Sequence, residues 1–209
     1  MRKLEKTIKL KIRYHGYGII CLLTRCRGKE LDSLILTYEG FQDQEVVYPY
    51  YRLLEEIEEG ETVHLFANKT GRIFGILGCH VPANRLIEEL TSSSVRDKLI
   101  NDCSLLVLPG GVKALEKLRQ EKHVLSFISD WYEKGKIIAS TCHGAQLMIS
   151  AKITKGHTIS GYYSIEDDIN NSGATYSREP CVVSNNIVSS PHYDNMAIWM
   201  KTAVEKAKE

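Results

Sequence analysis

The feature that most limits how this chain can fold is a repeated alternation. Short, largely apolar runs of three to five residues are separated by longer stretches with helical periodicity. The runs are Ser33 to Thr37 (SLILT), Ser104 to Leu108 (SLLVL), Lys136 to Ser140 (KIIAS) and Ile187 to Ser189 (IVS). The helical stretches are Glu45 to Glu58, His123 to Lys134, Ala145 to Ala151 and Asn195 to Lys206. Runs this short, with no polar residue at every second place, are strands buried on both faces. Strands that alternate with helices pack as a mostly parallel, doubly wound α/β sheet with helices on both sides. Thr62 to Ala67 adds a strand, and Lys69 to Gly71 reads as a hairpin-like turn after it. Ligands of such sheets sit at the carboxyl ends of the strands.

At 209 residues, 43% hydrophobic and 25% charged, the chain suffices for one such domain. Its net charge of +1 is unevenly spread: residues 1–30 hold nine Lys/Arg against two Glu, and the rest holds eighteen against twenty-four acids. We therefore expect a basic extension at 1–30 and a mildly acidic domain at 31–209. The extension reads as a basic appendage, as an added strand pair around Ile8 to Ile12 and Gly18 to Leu23, or as an unused upstream start. We assign it no catalytic role.

No stripe of Lys/Arg with interleaved aromatics follows Leu31, which argues against nucleic acid as a partner. Ile19 to Leu23 is too short for a signal-peptide core or a membrane span, so a cytoplasmic protein without membrane contact is expected. The six cysteines, at 21, 26, 79, 103, 142 and 181, form no Cys-x-x-Cys pair and fit a reducing compartment. His15, His64, His80, His123 and His157 lack paired spacing, so neither a metal nor another cofactor is expected.

The strongest chemical signal is Lys136-Ile-Ile-Ala-Ser-Thr-Cys142-His-Gly-Ala-Gln-Leu-Met, a buried strand, a tight turn with Cys at its apex, then a helix. This is the pattern of a nucleophile elbow. Ser140 and Gly144 lie two residues either side of Cys142, where the strained turn presses strand against helix and only small residues fit. A thiol at a helix amino end feels its positive dipole end, so Cys142 is expected to be acidic and reactive. Cys103 and Cys181, beside or in strand runs, read as small buried apolar residues. Cys21, Cys26 and Cys79 carry no such context.

A second signal is Leu105-Leu-Val-Leu-Pro109-Gly110-Gly111, a strand running into two glycines. Bare backbone there can approach a reacting group, and the N–H groups of Gly111 and His143 are candidate donors to an oxyanion. A plain strand-to-helix turn would use the same residues.

These stretches, with Gln42 to Arg52 and Gly161 to Asp168, resemble the ThiJ/PfpI superfamily, most closely its PfpI-type intracellular protease branch, over roughly Leu34 to Val204. The resemblance implies a flavodoxin-like three-layer sandwich and a Cys142 nucleophile acting on a small-molecule carbonyl or a peptide. The implied activities are peptidase, glyoxalase or deglycase. It further implies a carboxyl at Glu45 against the thiolate, oxyanion donors at Gly111 and His143, Gly110 and the aromatic Tyr162 in the substrate pocket, and a homo-oligomer, dimer or hexamer. In the PfpI branch a Glu soon after the Gly-Gly comes from a neighbouring subunit. Glu116 matches it with one extra residue between. Glu45 has a simpler reading as a partner of a helix dipole.

Two histidines compete as the base. His143 adjoins Cys142, and successive side chains in an elbow diverge, which leaves open whether its imidazole faces the sulfur. His192-Tyr-Asp194 follows the last strand, as the His-x-Glu of class I glutamine amidotransferases does in a related fold, so Cys142, His192 and Asp194 would form a triad. His192 as an ordinary loop residue is the other reading. Two rival functions share the site: a redox sensor or chaperone that oxidises Cys142, and a glutaminase using Cys142, His192 and Asp194.

Overall fold

Strands shielded by helices on both sides have no solvent face, and the central strands here have none. Every residue of β3 (Ser33–Leu36), β8 (Leu105–Leu108) and β13 (Ile187–Ser190) is buried. The computed structural model describes residues 8–14, 17–23, 31–57 and 62–209. They fall into two units, Met1–Glu30 and Leu31–Glu209. In the first, β1 (Ile8–Tyr14) and β2 (Tyr17–Leu23) pair antiparallel, with Ile8 opposite Leu23 and Tyr14 opposite Tyr17. The rest of 1–30, including Cys26 and His15, lies outside the described residues, as does Glu58, the expected end of the first helix.

In the second unit, β3 leads through α1 (Asp43–Leu54) to β4 (Val63–Ala67). Then come β5 (Gly71–Phe74), β6 (His80–Ala83), β7 (Arg85–Leu86) and α2 (Ser93–Asp102). After β8 the chain forms α3 (Val112–Leu118), α4 (Lys122–Glu133), β9 (Ile137–Thr141) and α5 (Ala145–Ser150). It ends with β10 (Thr158–Ser160), α6 (Glu166–Asn171), β11 (Thr175–Ser177), β12 (Val182–Ser184), β13 and α7 (Met196–Lys208). The main sheet has the order β12-β13-β9-β8-β3-β4-β7, parallel throughout except for β12. This is the flavodoxin-like, three-layer α/β arrangement.

Alternate residues of each strand serve opposite cores. Leu105 and Val107 of β8 face one cluster, with Val46 and Leu53 of α1 and Trp199, Met200 and Ala203 of α7. Leu106 and Leu108 face the other, with Leu99 of α2, Phe127 and Trp131 of α4, and Leu147 and Met148 of α5. Both indoles bury their rings and still find acceptors: Trp131 Nε1 donates to Ile137 O at 3.0 Å and Trp199 Nε1 to Val188 O at 3.2 Å.

From β3 the chain proceeds through β4 to one edge, then returns to build β8, β9 and β13 on the other side. The strand order therefore reverses between β3 and β8, where successive connections leave to opposite faces and open a crevice. Lys69 to Gly71 is a turn, but it does not close a hairpin on β4. It starts β5, which pairs antiparallel with β6 in a separate two-stranded sheet. That hairpin docks on the loop before α1: Gly40 N–H donates to Phe74 O at 2.8 Å and Ile76 N–H to Phe41 O at 2.9 Å. No helix among the described residues is long and apolar enough to cross a membrane.

Candidate active site

At the carboxyl end of β9, Cys142 has φ 55°, a left-handed conformation in a residue with a side chain. Backbone strain of this kind persists only where the surroundings enforce it. Here they do: a Cβ on Gly144 would lie 2.1 Å from Leu108 O and 3.1 Å from Ser140 Oγ, so the turn admits only glycine there. The same crowding holds at the end of β8. A Cβ on Gly110 would lie 2.3 Å from Glu45 Oε2 and 2.8 Å from Cys142 Cβ, and Gly111 takes φ 100°. Strands β8 and β9 and the helix after β3 thus deliver their residues to one point beside the crevice.

Glu45 is fully buried in the first turn of α1. Its Oε2 accepts the Gly110 N–H at 2.7 Å, its side-chain partner is the thiol of Cys142, and no nitrogen or oxygen donor reaches Oε1. Burial raises its pKa to about 7, against the lowering effects of Cys142 and the Gly110 N–H. The Gly110 N–H, expected near substrate, is thus engaged by Glu45. Burial foremost, then the charge of an ionised Glu45 and the hydrogen bond to it, push the Cys142 thiol up, while the N–H groups of His143 and Gly111 favour the thiolate. This corrects the expectation of an acidic thiol drawn from the helix start alone. Cys142 is 7% exposed and its sulfur sits beside a carboxyl, so its charge depends on where that carboxyl's proton lies.

The imidazole of His143 does face the sulfur, with Nδ1 3.3 Å from Cys142 Sγ. Its Nε2 is 3.4 Å from Ser164 Oγ, and burial lowers its pKa, which keeps the ring neutral at neutral pH. His192 Nδ1 stands 3.0 Å from Asp194 Oδ2, so the second expected pair forms. Among the described residues, however, His192 makes no hydrogen bond to Cys142. The Tyr162 ring packs against both imidazoles, at 4.8 Å from His143 and 5.8 Å from His192 between centroids.

A cavity of about 590 Å³ opens over the sulfur and brings together Glu45, Gly111, Glu116, Cys142, His143, Tyr162 and His192. Glu116, for which the resemblance implied a neighbouring subunit's site, lines the cavity of its own chain. Sequence reasoning missed Gln42, Ile76, Val112, Lys113 and Tyr193 on the same wall. Val112 and Lys113 directly follow the Gly-Gly and Tyr193 adjoins His192, a signal that adjacency supplied. Ile76 had none. It arrives on the β5–β6 hairpin because Asp43, buried in α1, accepts the N–H groups of Leu77 at 2.8 Å and Cys79 at 2.7 Å. Cys103 is buried in the core and Cys181 half-buried.

A strained cysteine beside a buried carboxyl at a doubly wound switch point is a specific arrangement, and residues 33–206 match the family model of the DJ-1/PfpI family. The chain belongs to the DJ-1/PfpI family. Within it, the chain is 34% identical over 172 residues to a deglycase of Thermococcus kodakarensis, covering 82% of this chain and 96% of that one. It is 33% identical over 175 residues to the deglycase PfpI of Pyrococcus furiosus, covering 84% and 98%. Among solved structures, Schizosaccharomyces pombe DJ-1 superposes with a TM-score of 0.74 at 19% identity, covering 84% of this chain and 91% of that one. At that identity the likeness is one of fold. The deglycase names of DJ-1/PfpI relatives indicate an enzymatic activity of the family type.

Proposed function

We propose that Leu31–Glu209 is a cysteine-dependent hydrolase or lyase acting on a carbonyl or amide carbon through Cys142, and that it removes dicarbonyl adducts. The observation that carries this reading is the contact set of one sulfur: His143 Nδ1 at 3.3 Å on one side and the Glu45 carboxyl on the other, under an open cavity. The deglycase names of relatives at 33–34% identity favour adduct removal over peptide hydrolysis.

Near neutral pH, Glu45 and Cys142 hold one proton between them. With the proton on Glu45, the carboxyl donates to the sulfur and the thiolate is the nucleophile. The sulfur attacks the substrate carbonyl, a C–S bond forms and the carbonyl π electrons move onto oxygen. The N–H groups of Gly111 and His143 are the donors for that oxyanion, since the Gly110 N–H is already bound to Glu45. The neutral His143 imidazole then shuttles a proton between nucleophile, leaving group and water. Tyr162 walls the pocket beside it. The test uses the hemithioacetal of methylglyoxal with N-acetylcysteine, following release of lactate. Cys142→Ser should fall to the buffer rate and His143→Gln should lose most activity. Full activity in Cys142→Ser would reject the reading.

The raised pKa of Glu45 favours a second reading. Two equivalents of peroxide would oxidise the thiolate to a sulfinate with release of water, and the carboxyl proton would bind a sulfinate oxygen. Selective dioxidation of Cys142 by mass spectrometry, in protein inert toward every carbonyl tried, would favour sensing over turnover.

A further inference from the structure

A neutral imidazole acts as a base only through the ring nitrogen that lacks the proton. For His143 to act on Cys142 that nitrogen must be Nδ1, 3.3 Å from Sγ, which places the proton on Nε2. Which nitrogen carries the proton is set by the hydrogen bond that the other one makes. In nucleophile triads a carboxylate takes that place. Among the described residues no carboxylate has a hydrogen bond or an ion pair with His143. The partner of Nε2 is the hydroxyl oxygen of Ser164, at 3.4 Å.

The segment that carries Ser164 is tied to the elbow. Ser164 lies in the short helical turn Tyr163–Ile165 that leads into α6. Tyr162 N–H donates to Cys142 O at 3.2 Å and Ile165 N–H to Tyr162 O at 3.0 Å, and Ile165 is buried. A Cβ on Gly161 would lie 2.8 Å from Ile169 Cδ1 and 3.4 Å from Cys142 O, so bare backbone lets this segment pass close against the elbow. Tyr162 sets its ring on the His143 ring, 4.8 Å between centroids. One segment thus meets both a face of the imidazole and its far nitrogen. Ser164 is exposed, so its own O–H can bond to water and leave an oxygen lone pair for the Nε2 proton.

We propose that Ser164 is the positioning residue of His143: its Oγ accepts the Nε2–H and so keeps the Nδ1 lone pair on the Cys142 sulfur. When Nδ1 takes up a proton and gives it back, the Nε2–H bond to Oγ persists through both states. A carboxylate in the same place would favour the imidazolium and retain the proton. A hydroxyl fixes the tautomer without adding charge. The other titratable groups of the cavity, Glu45, Lys113, Glu116, His192 and Tyr193, have no hydrogen bond to the ring among the described residues. The kinetic consequence rests on His143 carrying protons as proposed above, whereas the hydrogen bond does not.

NMR of the full chain with isotope-labelled histidine, assigned with His143→Gln, reads both ring nitrogens without substrate. The neutral native ring should hold its proton on Nε2. Ser164→Ala should let it spread over both nitrogens, as in an unheld imidazole. Ser164→Asp should raise the pKa of His143 and move the acid limb of the kcat profile to higher pH. On the hemithioacetal of methylglyoxal, kcat should fall about three- to tenfold in Ser164→Ala at unchanged KM, the loss expected of one hydrogen bond, and return in Ser164→Thr. Native ring signals in Ser164→Ala and Ser164→Asp, as when a neighbouring subunit's carboxylate holds the ring, would overturn the inference. So would an equal loss of kcat in Ser164→Ala and Ser164→Thr. If the ring signals changed as stated and kcat did not, the hydrogen bond would stand and His143 would fall as the proton carrier.

Discussion

A carboxyl as far out of water as that of Glu45 keeps its proton to about pH 7, against an ordinary 4.5. Below that range Glu45 and Cys142 are both protonated and the sulfur is inert. Above it Glu45 is charged, and that charge and the hydrogen bond to it add to burial in pushing the Cys142 thiol up. Iodoacetamide alkylation of Cys142 should therefore rise only above neutral pH. In Glu45→Gln the thiol keeps the burial and loses the neighbouring charge, so the rise should move to lower pH; an unmoved profile would remove Glu45 from the site's chemistry. The same shift bears on stability. A group with a raised folded pKa stabilises fully below its unfolded value, and that contribution is lost as pH rises through the folded value. From pH 4.5 up to about 7 and beyond, native protein bears an increasing cost for Glu45, on the order of 3 kcal/mol when complete. Glu45→Gln should raise the melting temperature at pH 8, with a gain that shrinks toward pH 5. The sequence showed Glu45 as a carboxylate near a helix start. Only the packing of α1 against the glycines after β8 decided that it is buried and touches the sulfur.

Two short connections hold the site's elements in place. The elbow depends on the approach of Gly144 to Leu108 O, and Gly144→Ala should cost more than about 2 kcal/mol, seen as a lower urea midpoint at unchanged slope. A midpoint within error of native would mean the turn relaxes. The hairpin of β5 and β6 depends on the Asp43 carboxylate. In Asp43→Ala, amide exchange over residues 75–79 should accelerate and stability should fall by about 1 to 3 kcal/mol, because the Leu77 and Cys79 N–H groups lose their acceptor. Unchanged exchange there would show that the hairpin is held by other contacts. The elbow was legible because its constraint is local, a small-x-Cys-x-small pattern between strand and helix. The hairpin was not, because the residues that fix it lie more than thirty positions apart.

The division of the chain into Met1–Glu30 and Leu31–Glu209 gives the second unit its own two-sided core. Protein lacking residues 1–30 should keep the melting temperature and the Cys142 alkylation rate of the full chain. Loss of either would give the basic segment a structural or catalytic part. Light scattering measures whether the chain forms the dimer or hexamer that the ThiJ/PfpI resemblance implies. By itself the sequence determined the doubly wound architecture, since short, largely apolar runs that alternate with helical stretches are buried between two helical layers, and it singled out Cys142, since the residues that strain the turn are close neighbours in the chain. The three-dimensional fold alone decided how the sulfur is charged and what stands around it. Burial of Glu45 and the turn of His143 toward the thiol both depend on distances that a linear pattern does not contain.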